Sequence, residues 1–269
     1  MVHRPLGNHH VRPDTLLVTS DATKKTVPVA DETGSRRELS GLVGLVKGAK
    51  FVLWDFDGPI CRLFVGDSAK EVARRQEVWL ESHGRGDVLT AEDRRAGDPH
   101  AALIRLASRQ PGSDLVVELE KRLAREELAA LPTALPTSWV DPLIQTWRAV
   151  GTRHAVTTNN SADPVRLYLE GRGLADCFER HIYGRTSDLG LLKPHPYCLN
   201  RALTAMGAAP EDALMIGDAV TDYEAAQAAG VAFLGFARNE RKEALLREAG
   251  AVHVVHDLSL LLKILRGRS

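Results

Sequence analysis

The chain is short of cysteine, of long apolar runs and of any excess charge, and each lack closes off a class of function. The three cysteines, Cys61, Cys177 and Cys198, are too few and odd in number for a disulfide framework. They read as reduced thiols of a cytosolic protein. No run approaches the roughly 20 apolar residues a membrane helix needs, and no apolar signal core follows Met1-Val2-His3-Arg4. The expectation is a cytoplasmic protein with no membrane partner. Lysine plus arginine number 35, as do aspartate plus glutamate; no basic excess favours nucleic acid as a partner. There is no internal repeat and no low-complexity tract, and the ten histidines show no pairing that suggests a metal.

What the chain does have is a series of short apolar runs that end in polar residues. Phe51-Val52-Leu53-Trp54 is continuously apolar and stops at Asp55. Such a run reads as a strand covered on both faces, as in a parallel sheet. Asp57 follows two residues later, on the same face in extended geometry, and Gly58 lets the chain leave the strand. A second run, His154-Ala155-Val156-Thr157, ends at Thr158-Asn159; a third, Ala213-Leu214-Met215-Ile216, ends at Gly217-Asp218, with Asp222 four residues on. Lys193-Pro194 lies between them. Strand ends of an open parallel sheet converge on one crevice, so these residues are expected to meet.

Their charges constrain the chemistry. If Asp55, Asp57 and Asp218 lie within about 4 Å of one another, each like-charged pair costs roughly 4 kcal/mol at an effective dielectric near 20. Lys193 alone does not offset three such pairs. Either some carboxylates are protonated or a divalent cation sits among them. All-oxygen ligands without a Cys or His cluster favour magnesium over zinc.

The chain organises around these motifs. Residues 1–37 are polar, broken by prolines and expected to form a mostly disordered arm. Leu39, Leu42, Val43 and Val46 then repeat at helical spacing. About 100 residues separate Asp57 from Thr158, far more than one crossover needs, so residues 65–135 are expected to be an inserted domain. It reads as all helix: residues 68–83, with Val72, Arg75, Val78 and Trp79; residues 100–109; and residues 113–131, with Leu115, Leu119, Leu123 and Leu128 on the apolar side. Residues 38–64 and 136–269 form the α/β core, a doubly wound parallel sheet. Further strands are expected around residues 181–183, 231–234 and 252–255. Helices are expected over residues 165–172, 196–206 and 258–265.

At these motifs the sequence resembles the haloacid dehalogenase-like hydrolase superfamily, in its phosphatase branch with a helical cap. Asp55-Phe56-Asp57-Gly58, Thr158-Asn159, Lys193-Pro194 and Gly217-Asp218 with Asp222 resemble its four motifs in order. The resemblance implies a magnesium-dependent phosphatase of a small phosphorylated metabolite, phosphoglycolate-like or a sugar phosphate. Asp55 would be the nucleophile that forms an aspartyl-phosphate. Asp57 would be the general acid and then the base, its backbone carbonyl also touching the metal. Thr158 would hydrogen-bond a phosphoryl oxygen, with Gly58 and Asn159 beside the substrate. Lys193 would neutralise charge, Asp218 would bind Mg2+ directly and Asp222 would assist. The family's dehalogenases lack a carboxylate two residues after the nucleophile, so Asp57 argues for phosphoryl transfer. Pro59 departs from the pattern, standing where many relatives carry Thr or Val.

In the family the cap governs substrate choice. Arg62, Arg94, Arg95 and Arg105 are candidates for a distal substrate group, although an ordinary solvated charge is the favoured reading of each. A phosphomutase of the same superfamily is the alternative enzyme. A phospho-accepting signalling domain would share the acidic cluster, Thr and Lys, but its acceptor aspartate comes from a middle strand and it lacks so large an insert. Whether the protein is a monomer or a homodimer is left open by the sequence.

Overall fold

The computed structural model describes residues 32–267; the expected N-terminal arm, as far as residue 31, lies outside them. Helix α1 (Glu32–Gly48) leads into strand β1 (Phe51–Trp54). Val52, Leu53 and Trp54 are all inaccessible to solvent, which explains the unbroken apolar run. Each such side chain contributes about 1.5–3 kcal/mol by burial. After β1 the chain turns through Asp57 and Gly58 into the short strand β2 (Cys61–Arg62) and leaves the core.

Between β2 and the next strand the chain is helical, with α2 (Ser68–Ser82), α3 (Ala91–Ala96), α4 (Ala101–Arg109) and α5 (Asp114–Ala130). Helix α3 has no counterpart in the sequence reading. It is six residues long and buries none of its side chains, so it carries no apolar stripe. A Thr90–Asp93 capping box defines it instead. The insert returns through β3 (Leu135–Pro136), which pairs antiparallel with β2, so the cap stands on a two-stranded stem.

The core then alternates. It runs α6 (Val140–Ala149), β4 (Arg153–Thr157), α7 (Ala162–Gly171), α8 (Ala175–Phe178), β5 (Ile182–Tyr183), α9 (Tyr197–Met206) and β6 (Ala213–Gly217). It closes with α10 (Val220–Ala228), β7 (Ala232–Phe236), α11 (Glu240–Ala249), β8 (His253–Val255) and α12 (Ser259–Leu265). The six strands are parallel in the order β5-β4-β1-β6-β7-β8, so the α/β doubly wound sheet stands. The chain winds from β1 through β4 to β5, then resumes on the other side at β6. Strand β1 is therefore the switch point where a crevice forms.

Trp54 anchors one face of the sheet. It packs edge-on against Trp147, with ring centroids 5.8 Å apart, and its indole N–H donates to His154 Nδ1 at 3.1 Å. Burial pushes the His154 pKa down to about 3, so the imidazole is a neutral acceptor. Cys61 is fully buried in the core. Among the described residues no helix is long and apolar enough to cross a membrane.

Candidate active site

Register places the motifs side by side. Trp54 is level with Val156 of β4 and with Ile216 of β6. The residues just beyond, Asp55, Thr157-Thr158 and Gly217-Asp218, thus sit at three adjacent strand ends about 4.8 Å apart. Asp55 N–H donates to the Ile216 carbonyl at 2.9 Å, which continues the ladder and fixes where the carboxylate emerges.

Lys193 reaches this point from the loop before α9. Its Nζ lies 2.7 Å from Asp55 Oδ1 and 2.5 Å from Asp222 Oδ1, and donates to the Thr157 carbonyl at 2.9 Å. Lys193, Asp55 and Asp222 are buried. Burial alone would lower the Lys193 pKa, but the Asp222 and Asp55 carboxylates overcome it and hold the ammonium charged well above its ordinary range. Oxygens of Asp55, Asp218 and Asp222 lie within 4.8 Å of one another. Burial raises the pKa of both Asp218 and Asp222. Three converging buried carboxylate oxygens, with no Cys or His among them, are a donor set that fits a hard divalent cation.

Asp222 has a second task. Its Oδ2 accepts from the Asp218 and Ala219 N–H groups, each at 3.0 Å, and so caps α10 while its Oδ1 faces Lys193. Two glycines make room for these acids. A Cβ on Gly217 would collide with the Asp222 carboxylate, and one on Gly58 with that of Asp218. Gly58 also has φ of 144°, a conformation other residues resist.

Asp57 stands apart from the three-carboxylate cluster. Its Oδ1 accepts from the Leu63 N–H at 2.9 Å. Burial, with the Asp218 and Asp55 charges added, outweighs that hydrogen bond and raises its pKa to about 6.

Thr158 donates through its hydroxyl to Asn160 Oδ1 at 3.0 Å. Asn159 faces the backbone of Lys193: its Oδ1 accepts from the Lys193 N–H at 2.8 Å, and its Nδ2 donates to the Lys193 carbonyl at 3.1 Å. It holds the lysine-bearing loop in place. At the α7 N-terminus the Ser161 N–H donates to Glu127 Oε2 at 3.0 Å.

Two groups of residues here escape the sequence reading. The first is cationic: Lys242 pairs with Asp218 Oδ2, and Arg238 Nη2 lies 3.6 Å from the same oxygen. Lys193 is thus not the only cation facing the acidic cluster, and the charge argument for a metal loses part of its force; the donor geometry carries it instead. The second is a network between cap and core. Glu127 of α5 is fully buried, 2.9 Å from Arg185 and within 3.1 Å of Asn160 Nδ2. Arg185 also reaches Glu120 and the Asn159 carbonyl. His100 Nε2 lies 3.5 Å from Glu127. Glu127 occupies a stripe otherwise formed by Val116, Leu119 and Leu123; an acid at a position the helical period assigns to the core is the signal that could have found it. Leu128, expected on that stripe, is 36% exposed.

Of the cap arginines, Arg94 pairs with Glu77 and Arg105 with Asp93, and Arg95 donates to the Ala91 carbonyl. These three are engaged inside the cap. Arg62 lines a cavity at the base of the cap.

The family model described as haloacid dehalogenase-like hydrolase matches residues 49–230. A phosphoglycolate phosphatase of Rhodospirillum rubrum is 35% identical over 146 residues, 53% of this chain and 59% of that protein. One of Xylella fastidiosa is 29% identical over 196 residues, 70% of this chain and 82% of that protein. The chain thus spans less than two thirds of the Rhodospirillum rubrum relative's length. Among solved structures, a predicted phosphatase from Clostridium acetobutylicum is similar with a TM-score of 0.64 at 18% identity, covering 81% of this chain and 99% of that one. At such identity the likeness is one of fold.

Proposed function

The chain belongs to the haloacid dehalogenase-like hydrolases, and from that premise we propose that it is a magnesium-dependent phosphatase of a small phosphorylated metabolite, acting through an aspartyl-phosphate on Asp55. The observation that carries the reading is the buried Lys193 ammonium held 2.7 Å from Asp55. It offsets the charge of the Asp55 carboxylate and of an incoming phosphate.

In the first step an Asp55 oxygen attacks phosphorus while the ester oxygen departs, taking the proton of Asp57. In the second a water attacks the same phosphorus, gives its proton to Asp57, and Asp55 is released. A carboxyl with a pKa near 6 suits both directions of that transfer at neutral pH. The Thr158 hydroxyl would exchange Asn160 for a phosphoryl oxygen, and Gly58 and Asn159 would border the substrate. Asp55, Asp218 and Asp222, with the Asp57 carbonyl, would hold the magnesium, which supplies charge neutralisation at the phosphoryl oxygens.

The relatives' names point to phosphoglycolate-like esters; sugar phosphates are the other class the family suggests. The test is phosphate release from a panel of metabolites, with and without chelator, comparing the native chain with Asp55→Asn to exclude contaminating phosphatases. Release confined to the native chain and to added magnesium is the expected result. No release from any ester would overturn the reading. Product analysis on a sugar phosphate separates hydrolysis from phosphoryl return by a mutase.

A further inference from the structure

The cap meets the core differently on its two sides. Beside β4 and β5 it is tied down: Glu127, Arg185, Asn160 and the Ser161 N–H are joined by ion pairs and hydrogen bonds. On the opposite side, a cavity of about 240 Å³ lies between the cap stem and the ends of β7 and β8. Arg62, Thr137 and Ser138 form one wall, and Phe236, Arg238 and His256 belong to the other.

This cavity adjoins the reacting groups. Thr137 donates through its hydroxyl to the Gly58 carbonyl at 2.7 Å and through its N–H to the Ile60 carbonyl at 3.0 Å, so one wall is bonded to the loop that carries Asp57. Arg238, in the other wall, lies 3.6 Å from Asp218 and is close enough to act on the Asp57 carboxyl. A leaving oxygen must face Asp57 to receive its proton. The wall bonded through Thr137 to the Gly58 carbonyl lies beside the point where that oxygen departs.

Its lining selects for charge. Arg62 and Arg238 present two guanidinium groups. Among the described residues Arg62 forms no ion pair, and Arg238 makes only the long contact to Asp218. The lining acid, Asp257, is engaged within its own turn: its carboxylate accepts from the Ser259 N–H at 2.8 Å and the Ser259 hydroxyl at 2.6 Å. His256 is held by Glu243 at 2.7 Å and by the Ala237 carbonyl at 2.7 Å.

We propose that this cavity is the leaving-group subsite, and that it selects phosphate monoesters whose leaving group carries a second anionic group, held by Arg62 and Arg238. The proposal rests on the phosphatase reading and divides the classes left open there, favouring phosphorylated carboxylic acids over neutral sugar phosphates. Arginine forks match carboxylate geometry through paired hydrogen bonds.

The experiment measures kcat/KM for 2-phosphoglycolate, 3-phosphoglycerate, glucose 6-phosphate and p-nitrophenyl phosphate in the native chain, Arg62→Ala and Arg62→Lys. The native enzyme is expected to favour the two carboxylates. Arg62→Ala should reduce the ratio of carboxylate to neutral-ester kcat/KM by about tenfold or more, the worth of one charge-assisted hydrogen bond. Arg62→Lys should restore part of it. Arg62 is exposed on a short strand, and circular dichroism checks that each variant folds. Chelator-sensitive hydrolysis of p-nitrophenyl phosphate without preference for the carboxylates, or equal losses on all substrates in Arg62→Ala, would overturn the subsite while leaving the phosphatase reading intact. Hydrolysis of none of the four while another ester of the panel is hydrolysed would overturn the subsite alone, and hydrolysis of no ester would remove both.

Discussion

Arg185 of the core grips Glu127 of the cap through two parallel contacts, Nη1 to Oε1 at 2.9 Å and Nη2 to Oε2 at 3.2 Å. Both side chains are shut off from solvent. The pair extends through Asn160, which bonds Glu127 with its amide and Thr158 with its carbonyl oxygen. The seating of the cap is therefore linked to a proposed phosphate-binding hydroxyl.

Removing one half of this pair should be far worse than removing both. Glu127→Ala leaves the buried guanidinium only Glu120 and the Asn159 carbonyl and should destabilise the fold by about 3 kcal/mol, whereas a well-packed Glu127→Leu/Arg185→Met double variant should lose much less. Urea unfolding curves read the difference. A double variant as unstable as the single one would show that packing, not charge, dominates at this interface.

The same network predicts an alkaline loss of stability. Burial alone would lower the His100 pKa, but Asp98 and Glu127 raise it from the ordinary 6.5 to about 9. A group whose folded pKa lies above its unfolded value stabilises fully below the unfolded value and stops doing so as pH rises through the folded one. Melting temperature should therefore fall between about pH 7 and pH 9.5 in the native chain and stay flatter in His100→Gln. Parallel curves would refute a protonated His100.

Asp57→Asn should slow turnover by about 10²- to 10⁴-fold, most for esters with poor leaving groups, because their departing oxygen needs the proton. Asp55→Asn should abolish turnover whatever the leaving group, since no acyl phosphate can form. Steady-state rates on p-nitrophenyl phosphate and on an alkyl phosphate distinguish the two; uniform losses in Asp57→Asn would remove its role as acid.

Lys242 and a metal ion would contend for the same Asp218 oxygen. Lys242→Met should tighten magnesium binding by roughly fivefold, the scale of one partly exposed ion pair near 1 kcal/mol, as read by titration calorimetry. Unchanged or weaker binding would mean that the lysine does not obstruct the ion.

The sequence made most of this legible at β1 and β6, because a buried parallel strand leaves an unbroken apolar run and its polar terminus marks the crevice; β4 carries His154 and Thr157 within it and shows the same pattern more weakly. It was silent where that contrast disappears. Helix α11 buries only Leu246, so its mostly polar surface hid both the helix and Lys242 on it. In α2 the buried side is Val72, Gln76, Trp79 and Leu80; the expected Val78 is 52% exposed, because the amide Gln76 on the inner face shifts the apparent stripe. Strand β7 runs two residues beyond the expected end at Leu234, through Gly235, whose backbone pairs with Val254 of β8. Pairing between distant segments sets such boundaries.

The two glycines beside the acids have a consequence for how this protein tolerates change. Asp218 fills the space a Gly58 side chain would take, and Asp222 the space of a Gly217 side chain. In a saturation mutagenesis library selected for phosphate release, both positions should therefore be as depleted as the aspartates themselves, alanine included, even though neither glycine carries a reactive atom. Codons that encode no functional group would look indispensable, and ranking residues by sensitivity alone would misplace them among the participants in the chemistry.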